Sequence, residues 1–84
     1  QIAEPFPNPF NPVVRIQMQQ SKDVNYVFEV FNLSGKKLQT VHGSLIVLGK
    51  NQIDWDGSDY PSGIYFFKIS VDNNYWLKKA ILLK

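Results

Sequence analysis

Ile64-Tyr65-Phe66-Phe67-Lys68-Ile69-Ser70-Val71 is followed by Asp72-Asn73-Asn74 and then by Tyr75-Trp76-Leu77-Lys78-Lys79-Ala80-Ile81-Leu82-Leu83, and these twenty residues decide the fold. Both apolar runs are rich in β-branched and aromatic side chains, and in the first of them Tyr65, Phe67, Ile69 and Val71 share one face of an extended chain. The Asp-Asn-Asn between them is turn chemistry, so the pair predicts a β-hairpin. No stretch of the chain keeps a 3.6-residue period over three turns.

The same period of two continues upstream. Gln52, Ile53, Asp54 and Trp55 predict a short strand that stops at Asp56-Gly57, and Pro61-Ser62-Gly63 ends the following loop. Val24, Tyr26, Phe28 and Val30 alternate with Asn25, Val27, Glu29 and Phe31 in a longer strand, which Asn32-Leu33-Ser34-Gly35 turns. Lys37 to His42 reads as the next strand, carrying Leu38 and Val41, and Gly43 and Gly49 bracket Ser44 to Leu48 as a further turn region. Nearer the N-terminus, Val14, Ile16 and Met18 oppose Arg15, Gln17 and Gln19, with Ser21-Lys22-Asp23 as the polar turn that follows. Turn signals at roughly ten-residue intervals predict an all-β, immunoglobulin-like antiparallel β-sandwich of about six or seven strands. A closed barrel would need more strand length. Trp55 and Phe28 are the expected core centre.

Residues 1–12 differ from the rest. Pro5, Pro7, Pro9 and Pro12, interrupted by Phe6, Asn8, Phe10 and Asn11, exclude a helix and predict an extended, turning lead-in packed on or leading into the domain of residues 13–84. Phe6 and Phe10 are the expected anchors. The PxxP spacing is poor for a polyproline ligand.

Composition bounds the chemistry. The chain has 84 residues, 44% hydrophobic and 19% charged, which suffices for one small domain and excludes a solvated linker. A net charge of +2 with scattered lysines does not suggest a nucleic-acid partner. Cysteine is absent, so no disulfide, thiolate nucleophile or cysteine metal cluster can form. No apolar run approaches the roughly 20 residues of a transmembrane helix. The chain begins with Gln1, and is expected to be a piece of a longer precursor whose signal peptide, if any, lies upstream.

His42 is the sole histidine and no serine nucleophile motif accompanies it, so the chain is not expected to be an enzyme. Glu29 falls on the solvent face of its strand, where a lone carboxylate is ordinary. Asp54, Asp56 and Asp59 surround Gly57, but their spacing does not match a calcium loop and turn capping explains them better, so neither metal nor cofactor is expected. Asn32-Leu33-Ser34 matches a glycosylation sequon, although the turn into Gly35 needs the same residues. Phe31, Tyr60, Phe66, Tyr75 and Trp76, placed outside the expected core, leave an alternative: a carbohydrate-binding or spacer immunoglobulin-like module of a secreted enzyme.

The two ends of the chain point elsewhere. Trp76 to Lys84 is apolar on both faces of a strand and flanked by Lys78, Lys79 and Lys84. At a sheet edge, such a strand offers its backbone to a receptor by strand addition, with the lysines setting register. A central strand with snorkelling lysines is the structural alternative.

The motifs Pro7-Asn8-Pro9-Phe10-Asn11-Pro12, Asn32-Leu33-Ser34-Gly35-Lys36, Trp55-Asp56-Gly57, Ser62-Gly63-Ile64-Tyr65-Phe66 and Lys78-Lys79-Ala80-Ile81-Leu82-Leu83-Lys84 occur in that order. Together they resemble the type A C-terminal sorting domain of proteins exported by the type IX (Por) secretion system, over nearly the whole chain. The resemblance implies a domain at the C-terminus of a larger cargo, typically of the Bacteroidetes, directing it across the outer membrane to the cell surface or the medium. It further implies, as partners, the type IX translocon, outer-membrane shuttle proteins and a sortase-like peptidase that removes the domain near Gln1. On this reading Lys78, Lys79, Ala80, Ile81, Leu82, Leu83 and Lys84 are the recognition residues. Pro7 to Pro12, Gly35, Trp55, Asp56, Gly57, Ser62, Gly63 and Tyr65 are structural motif residues. Val47-Leu48 before Gly49 departs from the family pattern, and the short loop Ser58 to Pro61 separates the chain from the related hook-capping group.

Overall fold

The alternating runs form six strands in the computed structural model, which describes residues 2–48 and 51–84. They are β1 (Val13–Gln17), β2 (Val24–Asn32), β3 (Lys37–Leu45), β4 (Gln52–Asp56), β5 (Gly63–Val71) and β6 (Asn74–Leu82). No helix occurs among the described residues. One antiparallel sheet has the order β3-β2-β5-β6, and the other is the pair β1-β4. The architecture is the all-β immunoglobulin-like sandwich that the turn spacing predicts.

Alternation sets which side chains are buried between the sheets. Val14 and Ile16 from β1, Ile53 and Trp55 from β4, Phe28 and Val30 from β2, Phe67 and Ile69 from β5, and Ala80 and Leu82 from β6 are all buried there. Trp55 gathers the rings of Phe10, Tyr60, Tyr65 and Phe67 at centroid distances of 5.5–5.9 Å, and its Nε1 donates to Gln39 Oε1 at 3.0 Å. A buried indole needs such a partner, and β3 supplies it. The Tyr65 hydroxyl donates to the Pro61 carbonyl four residues upstream, the arrangement of a tyrosine corner at the start of a sandwich strand. Burial, and to a lesser degree neighbouring Tyr60, pushes the Tyr65 phenol pKa up.

Several expectations require correction. Gly43 marks no turn: it lies within β3, opposite Tyr26, where a Cβ would collide with the Tyr26 phenol. The third strand therefore runs on to Leu45. Phe6 is not an anchor, being 71% exposed, whereas Phe10 is 1% exposed in the core. Tyr60 and Trp76 do not lie away from the core but pack against it. Val47 and Leu48 are exposed, Leu48 almost fully, while the predicted turn at Gly49 and the cleavage region at Gln1 lie outside the described residues.

The lead-in is an ordered arm. Ala3 N–H donates to the Gln17 carbonyl at 2.9 Å, and Phe6 and Arg15 exchange a pair of backbone hydrogen bonds at 2.8 Å each, so residues 2–6 line the edge of β1. The arm then crosses to the other sheet, where Phe10 forms a parallel bridge with Leu82 of β6.

Candidate functional site

Among the six strands, β6 pairs only with β5, which puts it at the edge of its sheet. The β5–β6 hairpin closes at Val71 and Asn74, with Asp72 at φ 53°, a left-handed conformation that aspartate tolerates. Side chains alternate along β6: Trp76, Lys78, Ala80 and Leu82 face the second sheet, and Tyr75, Leu77, Lys79 and Ile81 face outward. The backbone also alternates, so the N–H and C=O of Ile81 point away from β5.

The arm occupies that outer edge. Ile81 N–H donates to Asn8 Oδ1 at 2.9 Å, Asn8 Nδ2 donates to the Lys79 carbonyl at 3.4 Å, and Phe10 N–H donates to the Ile81 carbonyl at 2.8 Å. Leu83 N–H donates to the Phe10 carbonyl at 3.0 Å. The Asn8 carboxamide thus stands in for a peptide group of a neighbouring strand, and Phe10 continues the pairing with its own backbone. Glu4 reaches Lys78 Nζ at 2.8 Å, a pair that draws the lysine against the arm.

Other motif residues meet the same strand. A Cβ on Gly57 would lie 3.0 Å from Leu82, 3.1 Å from Trp55 and 3.4 Å from Phe10, so glycine lets the three side chains converge, and Gly57 N–H donates to the Pro12 carbonyl at 2.8 Å. Gly63 is the register partner of Leu82, and Tyr65 that of Ala80. Ser62 Oγ accepts from Lys84 N–H at 2.9 Å, and Lys84 Nζ donates to the Ser58 carbonyl at 2.6 Å. The structure therefore brings the arm, the Trp-Asp-Gly turn and the Ser-Gly-Ile-Tyr segment together around Lys78 to Lys84. It does not bring Gly35 there: that glycine, at φ 88°, completes the β2–β3 turn.

The aspartates and the sequon act in turns. Asp56 Oδ1 accepts from the Ser58 hydroxyl and from Ser58 N–H, the latter at 2.9 Å, and these bonds hold its pKa below the ordinary carboxylate value, with Lys84 a smaller contribution. Asp54 pairs with Arg15 at 3.2 Å. Asn32 Oδ1 accepts from Ser34 N–H, the Ser34 hydroxyl and Lys36 N–H at 2.8–3.1 Å. Glu29 is paired with Lys37 at 2.8 Å. Among the described residues, no three histidine or acidic side chains come together as a metal site, and no helix is long and apolar enough to cross a membrane. The five aromatics of the sugar-stacking alternative form no single row. Phe31 and Phe66 are half-buried register partners on the outer face, Tyr75 is exposed, and Tyr60 and Trp76 belong to the core side.

Of the expected recognition residues, Lys78 to Leu82 lie on β6 and Leu83 and Lys84 follow it, but sequence reasoning missed what Asn8 and Glu4 do. Their partners lie 73 and 74 positions away, beyond any local pattern.

The family model described as the secretion system C-terminal sorting domain matches residues 4–83, from Glu4 of the arm to Leu83. Among solved structures, the chain is similar to dimeric latent PorU from Porphyromonas gingivalis, with a TM-score of 0.70 and 19% identity over 94% of this chain and 9% of that one. At that identity the likeness is one of fold. No curated protein matches the chain.

Proposed function

Since the chain belongs to the C-terminal sorting domains of the Por (type IX) secretion system, a family marking proteins for the cell surface or the medium, we propose that it acts as a folded export tag whose terminal strand is the part that is read. The tag performs no reaction of its own. It associates with the translocon and with outer-membrane shuttle proteins while still joined to an N-terminal cargo, and a sortase-like peptidase of the host then removes it. One observation supports the reading: the family match runs to the end of a strand at a sheet edge, part of which the arm leaves uncovered. Where the arm leaves it uncovered, such an edge offers hydrogen-bonding groups to a receptor, as a central strand does not.

The test is a periplasmic reporter fused upstream of Gln1 in a host with this secretion system. The intact domain should carry the reporter to the surface, and deletion of Lys79 to Lys84 should leave it in the periplasm. Equal export of the truncated fusion would overturn the proposal.

A further inference from the structure

The arm covers only part of the β6 edge. Because the outward backbone groups alternate, those of Tyr75 and Leu77 point the same way as those of Ile81, and among the described residues nothing bonds to them. The flanking side chains are apolar and exposed, Tyr75 by 61% and Leu77 by 62%. Lys68 is the register partner of Leu77, with its Nζ 4.8 Å from the centre of the Tyr75 ring, and Lys79 lies two residues on. The nearby carboxylate of Glu29 is already taken by Lys37.

The opposite edge of the sheet is built differently. β3 carries Lys37, Thr40, His42 and Ser44, contains Gly43, and pairs with β2 through a register shift at Val30 and Phe31. Polar side chains and bulges are how sandwich edges are kept from pairing. The open part of β6 has neither.

We propose that Tyr75 to Leu77 is a docking edge that takes an extended segment of a partner protein by strand addition, the segment alternating acidic and apolar residues. Its backbone pairs with Tyr75 and Leu77, its acidic side chains lie beside Lys68 and Lys79, and its apolar ones face the two sheets' rim at Trp76. This deepens the export-tag reading, on which the partner's place in the secretion machinery rests. It moves the contact from the terminal residues, whose edge is occupied, to the residues just before them.

The probe is a capped seven-residue peptide alternating valine and glutamate, added to the 84-residue chain while amide exchange is followed by NMR. The Tyr75 and Leu77 amides should slow by about tenfold or more, with Ile81 and Leu83 unchanged. A valine–lysine peptide should have no effect. Slowing in β3 instead, faster exchange at Ile81 and Leu83 as the arm is displaced, equal binding of the lysine peptide, or no slowing at saturating peptide would each overturn the proposal. Leu77→Pro removes one outward N–H and leaves the β5 ladder intact, so it should abolish the effect. Leu77→Glu keeps the backbone and should weaken binding by about tenfold through like-charge repulsion, so the edge is tested even where the proline variant does not fold. Binding unchanged by Leu77→Glu would place the peptide elsewhere. This readout is independent of whether deleting Lys79 to Lys84 blocks export.

Discussion

Within β6, two stretches of one strand share the same ladder to β5 and differ on the other side. From Lys78 to Leu83, the edge meets Glu4, Asn8 and Phe10, while from Tyr75 to Leu77 it meets no described residue. Hairpin formation alone would leave both stretches alike. The difference comes from the arm, whose buried Phe10 fixes where it lies. The sorting domain thus has a self-complemented end beside a short open one.

The comparison breaks most severely if Phe10 is removed. Phe10→Ala should cost about 3–5 kcal/mol, since it empties the space between Trp55, Gly57 and Leu82, and denaturant unfolding would measure it. Next is Asn8→Ala, which deletes two exposed hydrogen bonds worth about 0.5–1.5 kcal/mol each. Its signature is local: the Ile81 amide should exchange faster while Tyr75 and Leu77 stay as they are. Glu4→Gln should cost under about 1 kcal/mol, because the glutamate is largely exposed and the pair is screened. Leu77→Glu, on the open stretch, should stay within about 0.5 kcal/mol of the parent.

The strands were legible in the sequence because each is a period-two run with a solvent side, as in Tyr65, Phe67, Ile69 and Val71. Gly43 was misread because a glycine in an apolar run signals a turn unless a large ring, here Tyr26, occupies its missing Cβ. The arm was legible as a turning, non-helical lead-in and not as a strand partner. Nothing local distinguishes Phe10, which is buried, from Phe6, which is exposed; the choice is made by Leu82 and Trp55, distant in sequence. The motif residues were legible as a set through the family resemblance, but their convergence on Lys78 to Lys84 is a property of the folded chain.

Acidity sharpens the contrast at the C-terminal end. The Asp56 pKa is depressed in the folded chain, so its contribution to the turn beside Lys84 is present above the unfolded carboxylate pKa and is lost as pH falls through the lower folded value. Carboxyl NMR titration should show the Asp56 midpoint below that of an exposed aspartate, and Ser58→Ala should raise it. An unshifted midpoint would mean that the turn does not hold its carboxylate.

The most direct measurement is amide hydrogen exchange along β6 in the unliganded chain. The account predicts slow exchange at Ile81 and Leu83 and fast exchange at Tyr75 and Leu77, although all four N–H groups point away from β5. Equal exchange at the four, whether fast or slow, would contradict it.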